Sequence, residues 1–300
     1  MANVDHEFGG VSTELKLSVV ENYLKAFTTA LRRRFDQLWY IDAFAGTGSR
    51  TVRLAATEGN LIEPPAAERV EQLRGSARIA LDIHPAFDRC IFIDQDPSHC
   101  DALRALAAER TSRTIEVLDG DANARLQEIL QSRTWGGTRA VMFLDPYGMS
   151  VDWDTLQAVR GTEAIDVWYL VSLSGIFRQA ARDSSAIDRS KRASLNRMFG
   201  EDRWEVAWYK SETVQDLFGN IDKKRKRTAN VDDMELYVHE RLGQLFPKVL
   251  KPLRLASAGG VPQFALFFAI SNPDPKAIGL AQRMASHILN SGRASQVRPR

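Results

Sequence analysis

The apolar residues of this chain fall into two rhythms. Near the start, Leu15, Val19, Tyr23, Phe27 and Leu31 recur every four positions behind Ser12 and Thr13, which predicts an amphipathic helix with a candidate cap. Farther on come unbroken apolar runs that stop on turn residues: "LWYIDAFAGTG" (Leu38 to Gly48), "CIFIDQDP" (Cys90 to Pro97), "TIEVLDGDAN" (Thr114 to Asn123), "AVMFLDPYG" (Ala140 to Gly148) and "AIDVWYLVSLSG" (Ala164 to Gly175). Runs of this kind suit strands covered on both faces by helices. Helical patterns lie between them, over Ser76 to Leu81, over Cys100 to Ala108 with Leu103 and Leu106, and at Leu126, Ile129 and Leu130. Strand and helix therefore alternate from Leu38 to Gly175, which predicts a doubly wound α/β fold with a mostly parallel, seven-stranded sheet.

The rhythm changes after Gly175. Residues 176–244 are polar and helical in flavour, and they carry the basic run Lys223, Lys224, Arg225, Lys226, Arg227. Val249 to Asn272 reads as two strands around Gly259-Gly260, an antiparallel hairpin that finishes the sheet. Pro275 to Leu289 gives a last helix with Ile278, Ala281, Met284 and Ile288 on one side, and Ser291 to Arg300 reads as a frayed tail. The stretch through Pro64 and Pro65 reads as an insertion. The expected organisation is a helical segment over 1–37, a Rossmann-like domain over 38–175 and 245–290, and a helical insertion over 176–244 for substrate or partner recognition.

The chain has 300 residues, 44% hydrophobic and 26% charged, which is ordinary for a soluble globular protein. A net charge of +2 does not announce nucleic-acid binding, so the distribution of charge matters more than its total. Arg32, Arg33 and Arg34 follow the first helix, where cations favour the dipole. The run at 223–227 is a candidate phosphate-backbone contact, with a solvated face as the equal alternative. His84, Cys90, His99 and Cys100 match no zinc spacing, so no metal is expected, and the two cysteines suggest no disulfide framework. Without a leader pattern or an apolar run of about 20 residues, the expected location is the cytoplasm, with no membrane contact. Trp153, Trp168, Trp204 and Trp208 read as core or rim residues.

Asp42, Asp94, Asp121 and Asp145 each close an apolar run, and in an open parallel sheet such ends converge on one crevice. Any one of them alone is more simply a cap or turn residue. "AGTG" lacks the third glycine of G-x-G-x-x-G, and no G-K-[ST] follows, so the usual phosphate-binding signatures are absent. A ligand without phosphates fits better. S-adenosylmethionine is one, with ribose hydroxyls and an adenine amino group that need acceptors and a methionine portion that must approach backbone.

The segments "DAFAGTG" and "GDAN" resemble motifs of class I S-adenosylmethionine-dependent methyltransferases, with Asp94 placed like the ribose-binding acid. That resemblance implies cofactor contacts at Asp42, Phe44, Ala45, Gly46, Gly48, Asp94, Gln95, Asp121 and Ala122. "LDPYG" resembles the D-P-P-Y motif of nucleic-acid amino-methyltransferases and the D-P-[FY]-G of tRNA guanine N2-dimethyltransferases. An exocyclic amine is a poor nucleophile until acceptors bind its N–H groups and turn its lone pair, a role that falls to Asp145 and the Pro146 carbonyl, with Tyr147 stacking on the base. Over most of its length, through "YIDAFAGTG", "GSARIAL" and "FLDPYG", the chain is similar to the bacterial three-Cys-motif partner proteins, which implies a cysteine-motif protein partner. The leading expectation is a methyltransferase acting on a nucleic-acid base, RNA or DNA. A non-catalytic module that docks to that partner, and a methyltransferase for a protein or small molecule, remain open.

Overall fold

The computed structural model describes residues 11–54, 69–110, 113–215, 221–256 and 262–297. Helix α1 (Val11–Leu31) leads into strand β1 (Gln37–Asp42), and a two-stranded hairpin, β2 (Ser49–Leu54) and β3 (Arg69–Arg74), runs into α2 (Ser76–Asp82). Then β4 (Arg89–Asp94), α3 (Pro97–Ala108), β5 (Thr114–Asp119), α4 (Ala122–Gln131), β6 (Thr138–Leu144), α5 (Trp153–Gly161) and β7 (Ile165–Ser172) alternate as the apolar runs require. Past β7 come α6 (Leu173–Gln179), α7 (Arg189–Phe199), α8 (Trp204–Trp208), the hairpin β8 (Tyr209–Gln215) and β9 (Ile221–Arg227), and α9 (Val231–Leu245). The chain ends with β10 (Lys248–Val249), β11 (Leu253–Ala256), β12 (Pro262–Ile270) and α10 (Pro275–Val297).

The main sheet runs β10-β12-β7-β6-β1-β4-β5, with β11 also on β12. Strands β5, β4, β1, β6 and β7 are mutually parallel, whereas β12 lies antiparallel to β7 and to both β10 and β11. Both β10 and β11 pair with β12, so they share one sheet position, interrupted at Pro252, which has no N–H to donate. The expected seven-position sheet with a terminal antiparallel hairpin is present.

Two apolar layers flank the sheet. On one face, Tyr23, Leu24 and Phe27 of α1 and Ala285 and Leu289 of α10 pack on Tyr40, Phe92, Trp168 and Phe268. On the other, Leu126 and Leu156 join Leu195, Phe199, Trp204, Trp208 and Met234, so residues 176–244 contribute to the same core as the strands. All four singled-out tryptophans are buried.

Three local expectations change, and a fourth is extended. Ser12 lies inside α1 and does not cap it; its hydroxyl donates to the Ala256 carbonyl at 2.9 Å, tying the helix to β11. Arg32 at the end of α1 also has a specific partner, Asp88, which it holds with two bonds of 2.8 and 2.7 Å. The basic run is a strand, because pairing with Tyr209–Gln215 outweighs the helical preference of lysine and arginine. The tail is helical as far as Val297. The Pro64-Pro65 stretch and the Gly259-Gly260 turn lie outside the described residues.

Helix α1 is pinned by a polar bond as well as by packing: the Tyr23 hydroxyl donates to Asp166 at 2.6 Å. Desolvation pushes the Asp166 carboxyl up to about 6, against the pull of Tyr23 and Arg139. Tyr23→Phe should therefore cost about 1–3 kcal/mol in urea unfolding near pH 8, where Asp166 is ionised and left without its donor, and less near pH 5, where it is protonated. Equal loss at both pH values would show that packing alone ties the helix down.

Candidate functional site

The strand order reverses on either side of β1, whose carboxyl end faces the open crevice of a doubly wound sheet. A cavity of about 580 Å³ opens there, lined by Phe44 to Ser49, Gly75 and Ser76, Asp145 to Gly148, residues of α1 and α6, and the edge formed by Leu255, Gln263 and Phe264.

The turn after β1 is fixed by backbone bonds, Ala43 N–H to Phe143 at 3.2 Å and Ala45 N–H to Ile93 at 3.0 Å. Its two glycines differ in role. Gly46 has φ +57°, and a Cβ there would meet nothing within 4 Å, so the backbone is open to a ligand. Gly48, at φ +73°, faces the protein: a Cβ would stand 2.9 Å from Leu106 of α3. Phe44 and Ala45 line the cavity with them.

The four strand-end acids separate into structural and cavity groups. Asp94, only 7% exposed, accepts from Gly46 N–H at 2.9 Å through one oxygen and from Asp96 N–H at 2.9 Å through the other, with His99 Nδ1 3.1 Å away. It thus shapes the glycine turn directly, and with Asp96 N–H and His99 both at one oxygen, its spare accepting capacity is on the oxygen that holds Gly46. Gln95 next to it is exposed. Asp121 caps α4 by accepting from Ala124 N–H at 3.0 Å, Ala122 is buried beneath it, and Asn123 clamps the loop after β6 by donating to the Ser150 carbonyl and accepting from Asp152 and Thr155. Neither Asp94 nor Asp121 lines the cavity.

Asp145 does line it, with Pro146 and Tyr147. Tyr147 is 74% exposed, a large ring held out over the opening. One oxygen of Asp145 accepts from Lys16 Nζ at 2.5 Å, and the ammonium, on α1, is nearly buried. The other oxygen has no hydrogen-bond partner among the described residues.

Asp42 lies behind this pair, fully buried and in contact with the Tyr40 hydroxyl at 3.1 Å and, more weakly, Phe44 N–H at 3.4 Å. Burial pushes its carboxyl up to about 7; a bond from Ser76 opposes the rise, the Asp145 charge adds to it, and Tyr40 and Phe44 moderate it.

The basic hairpin is largely committed to the protein. Arg225 pairs with Glu205, Lys226 with Glu212 at 2.8 Å, and Arg227 donates to the carbonyls of Phe177 and Ala180 and stacks on the Phe177 ring at 3.5 Å. Lys224 is exposed, and the Lys223 side chain lies outside the described residues.

The cavity residues that local sequence patterns did not assign to the site include three with side chains able to act on a ligand, Lys16, Ser76 and Arg178. Lys16 left a faint signal, a cation one helical repeat before the buried Val20 and Leu24.

The strand order and the placement of the antiparallel hairpin decide the fold. It is that of the class I methyltransferases. No family model matches the sequence. No curated protein matches it either. Among solved structures it is similar to a DUF519-family protein of Legionella pneumophila, at a TM-score of 0.45 and 12% identity over 92% of this chain and 93% of that one. A methyltransferase from Clostridium acetobutylicum described as S-adenosylmethionine-dependent gives 0.38 and 10% over 83% and 91%. A Streptomyces avermitilis protein of the DUF574 family gives 0.37 and 10% over 88% and 89%. Among the described residues no helix is long and apolar enough to cross a membrane.

The raised Asp42 carboxyl makes stability fall with pH. The folded state holds this proton more tightly than the unfolded chain, so its contribution is whole below about pH 4 and is lost as pH rises through about 7. Asp42→Asn, which cannot ionise, should gain melting temperature relative to wild type between about pH 5 and pH 8. Parallel melting profiles for the two proteins would show that Asp42 is ionised throughout.

Proposed function

We propose that this protein is an S-adenosylmethionine-dependent methyltransferase that N-methylates an exocyclic amine of a nucleic-acid base. The observation that carries the reading is the Asp145 carboxylate: it stands in one cavity with the open Gly46 turn, one oxygen already accepts from an amine nitrogen, and the other is unpartnered among the described residues.

The open backbone at Gly46 and the cavity volume fit the methionine portion of the cofactor, whereas Asp94 serves the turn first and the ribose second. When bound, the cofactor supplies an electrophilic methyl group. The chain's own residues do the rest. Asp145 and the Pro146 carbonyl accept the two N–H groups of the amine, which frees its lone pair from the ring. Tyr147 offers a face on which the base stacks, and its exposure suits a base that is single-stranded or flipped out of a helix. The Gly148 φ of +71° and the bond from Ser150 to the Tyr147 carbonyl at 2.6 Å hold this turn in shape.

A second reading draws on the same pair: if Lys16 permanently occupies Asp145, the cavity belongs to a non-catalytic module that binds cofactor and docks to a cysteine-motif protein. Labelled methyl transfer to bulk tRNA, rRNA and DNA, with and without cell extract to supply a partner, separates the two. Asp145→Ala should lose activity by about 10²–10³-fold while Asp145→Asn, which keeps an acceptor oxygen, retains part of it. Calorimetry should show cofactor binding in all three proteins, on the order of −8 kcal/mol. Transfer by the alanine variant at the wild-type rate would remove the amine role of Asp145, and cofactor binding with no transfer under any condition would favour the module.

A further inference from the structure

The charged side chains that line the cavity, among the described residues, are Lys16, Asp145 and Arg178. Two are cations and one is an anion, and the anion is already paired. Lys16 is 8% exposed and bonded at 2.5 Å, so its charge is poorly screened and acts on whatever enters beside Asp145. Arg178 is different. It is exposed in the last turn of α6, and no carboxylate pairs with it among the described residues. Its neighbour Arg227 is tied to the Phe177 and Ala180 carbonyls and to the Phe177 ring, which leaves Arg178, among the described residues, as the guanidinium that lines the cavity.

This arrangement discriminates among amines. An aliphatic amine, such as a protein lysine or a polyamine, arrives as a cation and meets Lys16 on the same carboxylate. Like charges that share one neutralised acceptor repel, and the entering ammonium would also lose its hydration. An exocyclic base amine is uncharged, needs only the free oxygen of Asp145, and leaves the Lys16 bond in place. Any anion attached to that base gains from Arg178, whose planar fork matches phosphate oxygens.

Building on the amine reading above, we propose that Lys16 and Arg178 form a charge filter that admits an uncharged amine carried on a phosphate-bearing scaffold, a nucleotide, and excludes cationic amines. Lys16 neutralises the acceptor carboxylate from the α1 side, and Arg178 takes the phosphate next to the target base at the α6 side.

Binding measurements test this without relying on turnover. The probes are a fluorescent single-stranded oligonucleotide of mixed sequence, the amino-bearing nucleoside monophosphates, the matching nucleosides, and spermidine as a competitor. Wild type should bind the oligonucleotide and the monophosphates more tightly than the nucleosides, and spermidine should not protect the cavity. Arg178→Glu, at an exposed position that should leave folding intact, should weaken oligonucleotide binding by about tenfold or more and flatten its salt dependence by roughly 0.7 in log–log slope, the value for one single-strand phosphate contact. It should leave nucleoside binding unchanged. A matching loss for the monophosphates assigns the phosphate to the target nucleotide itself, and a loss confined to the oligonucleotide assigns it to a neighbouring one; both support the filter. Lys16→Met should admit spermidine, and adding Asp145→Asn should abolish that gain.

Unchanged oligonucleotide affinity and salt slope in Arg178→Glu, or spermidine binding to wild type that is lost in Asp145→Asn, would overturn the proposal. Failure of the filter leaves cofactor binding and methyl transfer intact in wild type, whereas failure of the methyltransferase reading removes transfer while the binding pattern remains.

Discussion

Strands covered by helices on both faces leave little flank for polar chemistry, and a carboxylate that does sit there, Asp166 of β7, is held by the Tyr23 hydroxyl of the covering helix. In this sheet Ile41, Ile93 and Leu144 are buried one step before an acid, Asp42, Asp94 and Asp145, at the end of each strand. The carboxylates of Asp42, Asp94 and Asp145 are consequently concentrated at one end, where an unpaired buried charge is costly and each must find a partner. Their partners decide what the crevice becomes. Backbone N–H groups absorb Asp94, hydroxyls surround Asp42, and a lysine from outside the strand-helix repeat meets Asp145. The site follows from how these charges are satisfied.

The same residue type therefore does two kinds of work. Asp94 and Asp121 hold main chain, one at the glycine turn and one at a helix start, and neither lines the cavity. Among the described residues Asp145 is held by one side chain, which arrives from α1, and its second oxygen has no partner. Strand ends supply many acids, but only an acid with spare hydrogen-bonding capacity facing a cavity can act on a ligand.

The fold was legible because its signals are local and repeated: apolar runs with turn residues behind them, and helical spacing between. The D-P-Y-G turn and the glycine turn were legible for the same reason, since each is set by a few adjacent residues. Lys16 was not, because its partner lies 129 residues away and only the packing of α1 on the sheet brings them together. The partners of the basic run were not legible either. Five consecutive cations suit a phosphate contact and a solvated face equally, and neither reading foresees that β-pairing turns alternate side chains to opposite faces and delivers Arg225 to Glu205 and Arg227 to the Phe177 and Ala180 carbonyls. Local composition reports charge, and tertiary packing decides which charges remain available.

On the proposed reading, the Asp145 oxygen without a partner among the described residues accepts from an uncharged amine while Lys16 holds its neighbour. Crystals of the protein grown with S-adenosylhomocysteine and soaked with each amino-bearing nucleoside monophosphate test it most directly. The exocyclic nitrogen of the bound base should lie within hydrogen-bond distance of the Asp145 carboxylate, with the Lys16 bond retained and the ring against Tyr147. A base bound elsewhere, with both Asp145 oxygens turned away from it, would contradict the account.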